Sequence, residues 1–307
     1  MGYTDLITRM RAGGVVVIDG GTGTEMERRG APMNDAAWCG VVSLTHRAEL
    51  EAVHQAYIAA GAEVITANTF ASSRLMLDPA GYGDRVREIN LAAVEAALSA
   101  REKAGRPEVV VAGSLSHMFP TPSHGDRTRR RPDITDQMMA DAFGELADIL
   151  KEGGCDFIML EMMFAPRRLA HAVAAGQATG LPLWCGFSAR TGDDGAVLSY
   201  VWYEDQPFGE IAAICQGAGF DAAGIMHSSP NVTGPALAIL AEHFDGPLIA
   251  YPDSGFFKMP HWQFEDVISP ADLHGFSAEW VAQGARAVGG CCGLSPEHIE
   301  ALAPLKH

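Results

Sequence analysis

Two adjacent cysteines near the C-terminus carry the strongest chemical signal in the chain. Cys291 and Cys292 lie within the run Gly-Gly-Cys-Cys-Gly at residues 289–293. Adjacent cysteines do not easily form a disulfide with each other, because the bond requires a specific separation of the two side chains. Flanking glycines let the backbone come close to a bound group. Two thiolates at the end of a strand therefore suit a soft metal ion such as zinc.

Polar or thiol groups also follow each of the other apolar runs that could form buried strands. They are Asp19, Asn68, Ser114, Glu161, Ser188, His227 and Asp253, followed by the cysteine pair. In a barrel of parallel strands these ends meet on one face, where active sites lie. Helix capping is an equally good explanation for the two serines.

A glycine-rich turn follows the first of these runs. In Asp19-Gly20-Gly21-Thr22-Gly23, backbone N–H groups could face an anion such as a carboxylate or a phosphate. The run has neither the lysine of a Walker A loop nor the spacing of a dinucleotide-binding fingerprint. A tight structural turn explains it equally well.

The elements that must position these groups alternate regularly along the chain. Apolar runs at 15–19, 63–69, 109–115, 157–162, 183–188, 222–227, 247–251 and 287–290 read as strands buried on both faces. Amphipathic helices are predicted between them, among them 47–60, with Thr45 as N-cap, and 136–152. We predict an α/β fold, a (β/α)8 TIM barrel forming a single domain over 1–307. An open doubly wound sheet is the alternative, because a strand count does not show closure.

The charge balance narrows the classes of partner. Among 307 residues, 38 acids face 22 bases and the formal net charge is −16. This argues against nucleic acid or an anionic membrane as a partner, and the arginine cluster at 127–131 is too short to reverse it. With no secretory leader and no apolar run long enough to span a membrane, we predict a cytoplasmic protein. A homo-oligomer is left open.

Several motifs together resemble the homocysteine S-methyltransferase family. They are the turn at 19–25, His54-x-x-Tyr57-x-x-Ala-Gly-Ala at 54–62, Thr-Ala-Asn-Thr-Phe at 66–70, Leu160-Glu161 and Gly-Gly-Cys-Cys-Gly at 289–293, in the family's order. The resemblance implies a barrel with Zn²⁺ as cofactor. It also implies that a small thiol acceptor such as homocysteine binds as the thiolate and takes a methyl group from a small onium donor of the betaine or sulfonium type.

The resemblance also assigns roles to individual residues. Glu161 would pair with the ammonium group of the acceptor, and a turn formed by Asp19, Gly20, Gly21 and Thr22 would hold its amino-acid head group; Asp19 and Glu161 are the candidate catalytic residues. Substrate contacts are implied for Asn68, Trp38 and Phe70. The two aromatic residues would face the cationic centre of the donor, as aromatic rings hold onium groups well. Packing in the core or in a lid is the alternative for both rings.

Two positions depart from the family pattern. His227 stands where the family supplies a third cysteine, so the predicted metal ligands are His227, Cys291 and Cys292; Cys215 lies too early in the chain to substitute. An imidazole in place of a thiolate removes one negative charge from the centre and makes the metal more Lewis-acidic. Asp253 replaces a common asparagine. It could orient His227, favour a cationic substrate or be a loop residue.

These departures leave several hypotheses open. The chain could be a modified S-methyltransferase, an S-methyltransferase with a changed acceptor, a hydrolase or lyase that uses zinc-activated water, or a protein without a metal. A noncatalytic zinc-binding or ligand-sensing protein is a further alternative. Two irregular segments are also unassigned: the loop at 116–133, which could be a lid, a binding loop or disordered, and the aromatic stretch at 252–270, which could line a pocket or pack the loop down.

Overall fold

Eight parallel strands form the centre of the molecule in the computed structural model, which describes residues 2–119, 131–258 and 260–306. The strands are β1 (Val16–Val17), β2 (Val64–Ala67), β3 (Val110–Ser116), β4 (Phe157–Met163), β5 (Leu183–Phe187), β6 (Ala222–Met226), β7 (Leu248–Tyr251) and β8 (Ala285–Val288). Two short antiparallel hairpins are added, the first of Ala189–Thr191 and Val197–Ser199 and the second of Phe256–Lys258 and His261–Gln263.

The sheet closes on itself. Its hydrogen-bonded order is β1-β8-β7-β6-β5-β4-β3-β2. A parallel bridge between Ile18 and Val64 joins the two remaining edges. There the N–H of Asp19 donates to the carbonyl of Val64 at 3.0 Å, and the N–H of Glu63 donates to the carbonyl of Val17 at 2.8 Å. The predicted (β/α)8 barrel is confirmed, and the open sheet is excluded.

Helices lie between the strands around the barrel. They are Tyr3–Arg11, Thr22–Arg28, Val42–Thr45, Arg47–Ala59, Arg74–Leu77, Val86–Lys103, Asp136–Gly153, Pro166–Ala178, Phe208–Ala212, Cys215–Ala218, Pro230–Ala241, Pro270–Ala282 and Pro296–Glu300, with 3-10 turns at Gly83–Arg85 and Ala303–Leu305. Both specified helix predictions are confirmed to within one residue. Thr45 as an N-cap is wrong, because Thr45 ends the preceding short helix and His46 takes the cap position.

The predicted strand limits fail at β1, β2 and β8. β2 ends at Ala67, two residues before the end of the predicted run. At β1 the chain leaves the ladder after two residues, although Ile18 keeps its bridge. At β8 the observed strand starts two residues before the predicted run. The prediction began too late because the half-buried charge of Arg286 interrupts the apolar pattern. Gly289 and Gly290 lie beyond the strand. The cysteine pair therefore lies on a loop.

Side chains inside the barrel form a core separate from the layer between strands and helices. Val16, Val110, Phe157, Trp184 and Ile249 belong to this inner cluster, together with Leu6, Ile7 and Met10 of the first helix. The indole N–H of Trp184 donates to the hydroxyl of Tyr3 at 2.9 Å. The helix Tyr3–Arg11 thus closes the floor of the barrel, and the opposite, C-terminal end of the strands is left for a ligand.

Two features bear on predictions about surface segments. Residues 120–130 of the long loop lie outside the described residues, so the lid hypothesis stays a prediction. The aromatic stretch at 252–270 contains the second hairpin, in which Trp262 is buried and Phe256 is exposed. In the described part of the chain, no helix is both long and apolar enough to cross a membrane.

Gly224 in β6 should be intolerant of any side chain. An added Cβ would lie 1.8 Å from the carbonyl oxygen of Ile249 on the neighbouring strand, a backbone atom with little freedom to move. We expect Gly224→Ala to lower the free energy of unfolding by about 3 kcal/mol, as measured by urea denaturation.

Gly144 provides the matched control. It lies inside the helix Asp136–Gly153, and an added Cβ would meet no atom within 4 Å. Gly144→Ala should raise the free energy of unfolding by about 0.5–1 kcal/mol, because alanine loses less backbone entropy in a helix. Equal effects of the two substitutions would contradict the packing described for β6.

Candidate active site

A cavity of about 500 Å³ opens at the C-terminal ends of the strands. All twelve residues predicted for the site line it: Asp19, Gly20, Gly21, Thr22, Trp38, Asn68, Phe70, Glu161, His227, Asp253, Cys291 and Cys292. The structure therefore brings together residues that lie as far apart in the sequence as Asp19 and Cys292. Cys215 does not belong to this lining; it lies in the short helix that precedes β6.

Three side chains in the cavity have the geometry of a metal site. The potential ligand atoms of His227, Cys291 and Cys292 all lie within 4.8 Å of one another. Sγ of Cys291 is 3.7 Å from Nδ1 of His227 and 3.8 Å from Sγ of Cys292. Tetrahedral zinc with ordinary bond lengths requires ligand separations of about 3.6 Å for nitrogen to sulfur and about 3.8 Å for sulfur to sulfur. These donor atoms fit zinc.

Backbone geometry at two segments makes this arrangement possible. His227, the first residue after β6, has a φ of +43°, which is uncommon for a residue with a side chain. Gly293, directly after the cysteines, has a φ of +82°, and a Cβ there would lie 1.9 Å from the carbonyl oxygen of Ser254. The loop that bears the cysteines therefore packs backbone to backbone against its neighbour, which requires glycine.

Charges inside the cavity change the proton affinities of the ligands. The hydrogen bond from Cys292 and the nearby His227 hold the pKa of Cys291 well below its usual range. Burial opposes the charge of His227, but the neighbouring Asp253 and Cys291 outweigh it and raise its pKa to about 9. Without a metal ion, the site therefore favours a thiolate on Cys291 beside a protonated imidazole.

Two buried carboxyl groups face the same space. Burial raises the pKa of Asp19 to about 7, although its two oxygens accept hydrogen bonds from the N–H of Thr66 at 2.7 Å and from its hydroxyl at 3.0 Å. Burial and the charge of Cys291 raise the pKa of Glu161 to about 8, and the hydroxyl of Ser114 donates to it. Asp19 thus holds the end of β2 through Thr66, while Glu161 in β4 is hydrogen-bonded to Ser114 in the neighbouring strand β3.

The glycine turn is partly a structural feature. The N–H of Gly21 donates to the carbonyl of Leu294 at 3.2 Å, so it is used within the protein and does not face an anion. A Cβ on Gly20 or Gly21 would lie about 2.5–2.6 Å from the carbonyl oxygens of Leu294 or Cys291. These glycines let the turn pack against the cysteine loop. The buried hydroxyl of Thr22, in contrast, has no partner within the described structure.

Aromatic rings form one wall of the cavity. The indole of Trp38, whose backbone φ is +47°, contacts the edges of Phe70 and Phe257 at centroid distances of 6.4 and 6.1 Å. Asn68 fastens this wall, because its amide donates to the carbonyl of Cys39 at 2.9 Å and accepts from the Cys39 thiol at 3.3 Å. The amide of Asn68 is therefore already used to hold Cys39, which is an alternative to the predicted direct contact with substrate.

The sequence analysis did not identify Tyr200 and Tyr251, which also line the cavity. Trp262 lines it too, in agreement with the pocket alternative for the aromatic stretch at 252–270. The ring centroids of Tyr200 and Trp262 lie 5.7 and 6.0 Å from that of His227. Tyr251, the last residue of β7, has a buried hydroxyl with no partner among the described residues. Its only sequence signal is a hydroxyl at the end of an apolar run, which does not distinguish a site residue from a core residue.

The fold and the sequence of the chain are similar to those of known methyltransferases. The metallated form of homocysteine methyltransferase MmuM from Escherichia coli superposes with a TM-score of 0.76 at 23% identity, over 94% of this chain and 96% of that chain, which establishes the shared fold. Homocysteine S-methyltransferase 4 of Zea mays is 26% identical, covering 95% of this chain and 89% of the relative. Selenocysteine Se-methyltransferase of Brassica oleracea var. italica is 27% identical over 94% and 88%.

The family model of homocysteine S-methyltransferase matches residues 16–305. The chain belongs to the homocysteine S-methyltransferase family and is a methyltransferase. These relatives favour an enzyme over a noncatalytic binding protein, and they give no support to the hydrolase or lyase hypothesis.

Glu161 should make the stability of the metal-free protein depend on pH. Its pKa rises on folding from 4.5 to about 8, so in this interval the folded chain keeps a proton that the unfolded chain releases. The free energy of unfolding should fall as pH rises through this interval. Glu161→Gln should make that fall shallower, by up to about 1.4 kcal/mol per pH unit.

Urea denaturation of chelator-treated protein at several pH values measures this slope. Glu102→Gln, the same change at an exposed helical position, is the control and should leave the slope unchanged. An identical slope in wild type and Glu161→Gln would show that Glu161 is ionised in the folded chain throughout.

Proposed function

We propose that the protein is a zinc-dependent S-methyltransferase that moves a methyl group from a small onium donor to a thiol acceptor such as homocysteine or a related thiol. The observation that supports this most strongly is the ligand group of His227, Cys291 and Cys292 in the cavity of a methyltransferase barrel, in which both separations that involve Cys291 match those of tetrahedral zinc ligands. Bound there, zinc would supply the positive charge that favours ionisation of an acceptor thiol near neutral pH.

The acceptor's head group fits the part of the cavity formed by the turn at 19–22, which packs against the cysteine loop. There the buried hydroxyl of Thr22 has no partner among the described residues and could donate to a carboxylate. We assign Glu161 to the acceptor's ammonium group, which would stabilise the ionised carboxylate against the cost of burial. Asp19, bound to Thr66, would set the position of the turn from beneath.

The donor's cationic centre fits the aromatic wall. Trp38 and Phe70 present rings to the cavity, and a cation near such rings is attracted by their faces and does not require a buried counterion. The cavity's carboxylates also favour a cation over an anion. With the donor held there, the acceptor sulfur forms a bond to the methyl carbon as the bond to the donor's nitrogen or sulfur breaks, and the donor leaves uncharged at that atom. Proximity and in-line orientation would provide most of the rate.

Three broader features belong to the same proposal. The chain would act as a single domain over 1–307, in the cytoplasm, with small molecules as both substrates. A homo-oligomer remains compatible with it. Neither nucleic acid nor a membrane surface is expected as a partner, on the ground of net charge.

Removal of one thiolate ligand should abolish both zinc binding and methyl transfer. We expect Cys291→Ala to weaken zinc affinity at least roughly 100-fold and to reduce methyl transfer to background, because a ligand contributes more than the outer groups that orient it. Elemental analysis and chelator competition measure the first, and product analysis by mass spectrometry the second.

Cys215→Ala is the matched control, since it makes the same substitution at a buried thiol outside the cavity. It should keep both zinc and activity. A metal-free wild-type protein that transfers methyl groups would overturn the proposed function. A zinc-loaded protein that fails with every thiol in a matrix of onium donors and thiols, yet turns over a donor alone, would favour the hydrolytic hypothesis.

Trp38 should favour binding of a positively charged donor over an uncharged analogue. Trp38→Ala should raise KM for the onium donor by about 3- to 30-fold and leave KM for the thiol unchanged, since cation–π contacts contribute about 0.5–2 kcal/mol. Trp38→Phe should keep most of the affinity. The decisive comparison uses inhibition by the onium compound and by its uncharged carbon analogue: an equal loss for both would assign Trp38 to packing alone.

A further inference from the structure

Residues 252–254, which follow β7, join the two segments that bear the predicted metal ligands. Three backbone hydrogen bonds make this connection: Cys291 N–H to Pro252 O at 2.7 Å, Ser254 N–H to Cys292 O at 3.0 Å and Asp253 N–H to Ser228 O at 3.2 Å. The position of Asp253 relative to both the histidine and the cysteines is therefore fixed by the backbone. Its side chain is not free to be placed elsewhere by loop motion alone.

The Asp253 carboxylate lies directly beside the imidazole. Its Oδ2 is 3.5 Å from Nδ1 of His227, the same atom that lies 3.7 Å from Sγ of Cys291. The two side chains are only 14% and 13% exposed. At 3.5 Å the contact is longer than a good hydrogen bond, so it acts mainly through charge. Burial strengthens that action, because the surroundings screen it less than water does.

The net charge of the three predicted ligands explains how this contact could support metal binding. Two thiolates balance a divalent cation, and a neutral imidazole adds no charge, whereas a third thiolate would add one. The carboxylate of Asp253 supplies that missing charge immediately next to the imidazole. Tyr200 and Trp262, whose ring centroids lie 5.7 and 6.0 Å from that of the imidazole, also pack against it.

We propose that Asp253 is the positioning residue of the metal centre: it keeps the His227 ring turned toward the two sulfurs and provides the negative charge that an imidazole ligand lacks. This inference rests on the proposed function, since it requires a metal held by His227, Cys291 and Cys292. It adds that zinc binding through His227 depends on the negative charge of Asp253. This dependence should disappear when residue 227 is a cysteine, whose thiolate carries its own negative charge.

The test is a double-mutant cycle with Asp253→Asn and His227→Cys, in which the zinc dissociation constant is measured by competition with a chromophoric chelator. Asn keeps the shape of the side chain and removes its charge. We expect Asp253→Asn to weaken zinc binding roughly 10- to 100-fold in the wild-type background, because it removes a buried negative charge 3.5 Å from the imidazole nitrogen that faces Cys291. In the His227→Cys background the same substitution should change it by less than about threefold.

Two further variants separate charge from shape. Asp253→Glu retains the carboxylate and should bind zinc more tightly than Asp253→Asn. Asp148→Asn, the same chemical change on an exposed helix face, should leave the dissociation constant unchanged. The visible absorption of Co²⁺-substituted protein gives a second readout: Asp253→Asn should shift the ligand-field bands and keep the sulfur-to-cobalt charge-transfer bands.

The outcomes distinguish this inference from the proposed function. Equal loss of affinity in both backgrounds, or no loss in either, overturns the role of Asp253 and leaves the three-ligand site intact. A wild-type protein that binds neither zinc nor cobalt overturns the proposed metal centre and this inference with it.

Discussion

The close approach of three backbone segments is the constraint on which the site depends. The turn after β1, residues 252–254 after β7 and the cysteine loop after β8 contact one another through main-chain atoms, with glycine where a side chain would collide. The order of the sheet brings these segments together, since β1 and β7 are both neighbours of β8. The closing bridge between Ile18 and Val64 adds the end of β2 to this group, where Asp19 accepts hydrogen bonds from Thr66.

The buried polar groups of the cavity divide into two kinds. Asp19 and Asn68 are fully engaged with their own neighbours and hold the ends of strands and the aromatic wall in place. The hydroxyl groups of Thr22 and Tyr251 are buried without a partner among the described residues. Since an unsatisfied buried hydroxyl costs free energy, such groups are more readily explained as contacts for a ligand than as packing.

The residues at strand ends could be predicted to share the cavity, because parallel strands place their C-terminal ends on one face. Trp38, in contrast, was predicted from the family resemblance alone, and Tyr200 was not predicted. His227 and Asp253 follow β6 and β7, which are adjacent in the sheet, so their proximity follows from the order of the strands. Their separation of 3.5 Å could not be predicted, because it depends on a left-handed residue and on hydrogen bonds between distant loops. Two predictions from local sequence pattern were wrong for a similar reason. Tertiary packing tolerates the charge of Arg286 inside β8, and it places a short helix that ends at Thr45 directly before the longer helix.

The closed floor of the barrel has a consequence for the order of events. The helix Tyr3–Arg11 packs against the inner core at the end opposite the cysteines, so molecules reach the cavity from the loop side. A thiol bound next to the cysteine pair and a methyl donor held at the aromatic wall would then share this one entrance. Both would have to occupy the cavity together for the sulfur to reach the methyl carbon, so the reaction would pass through a ternary complex.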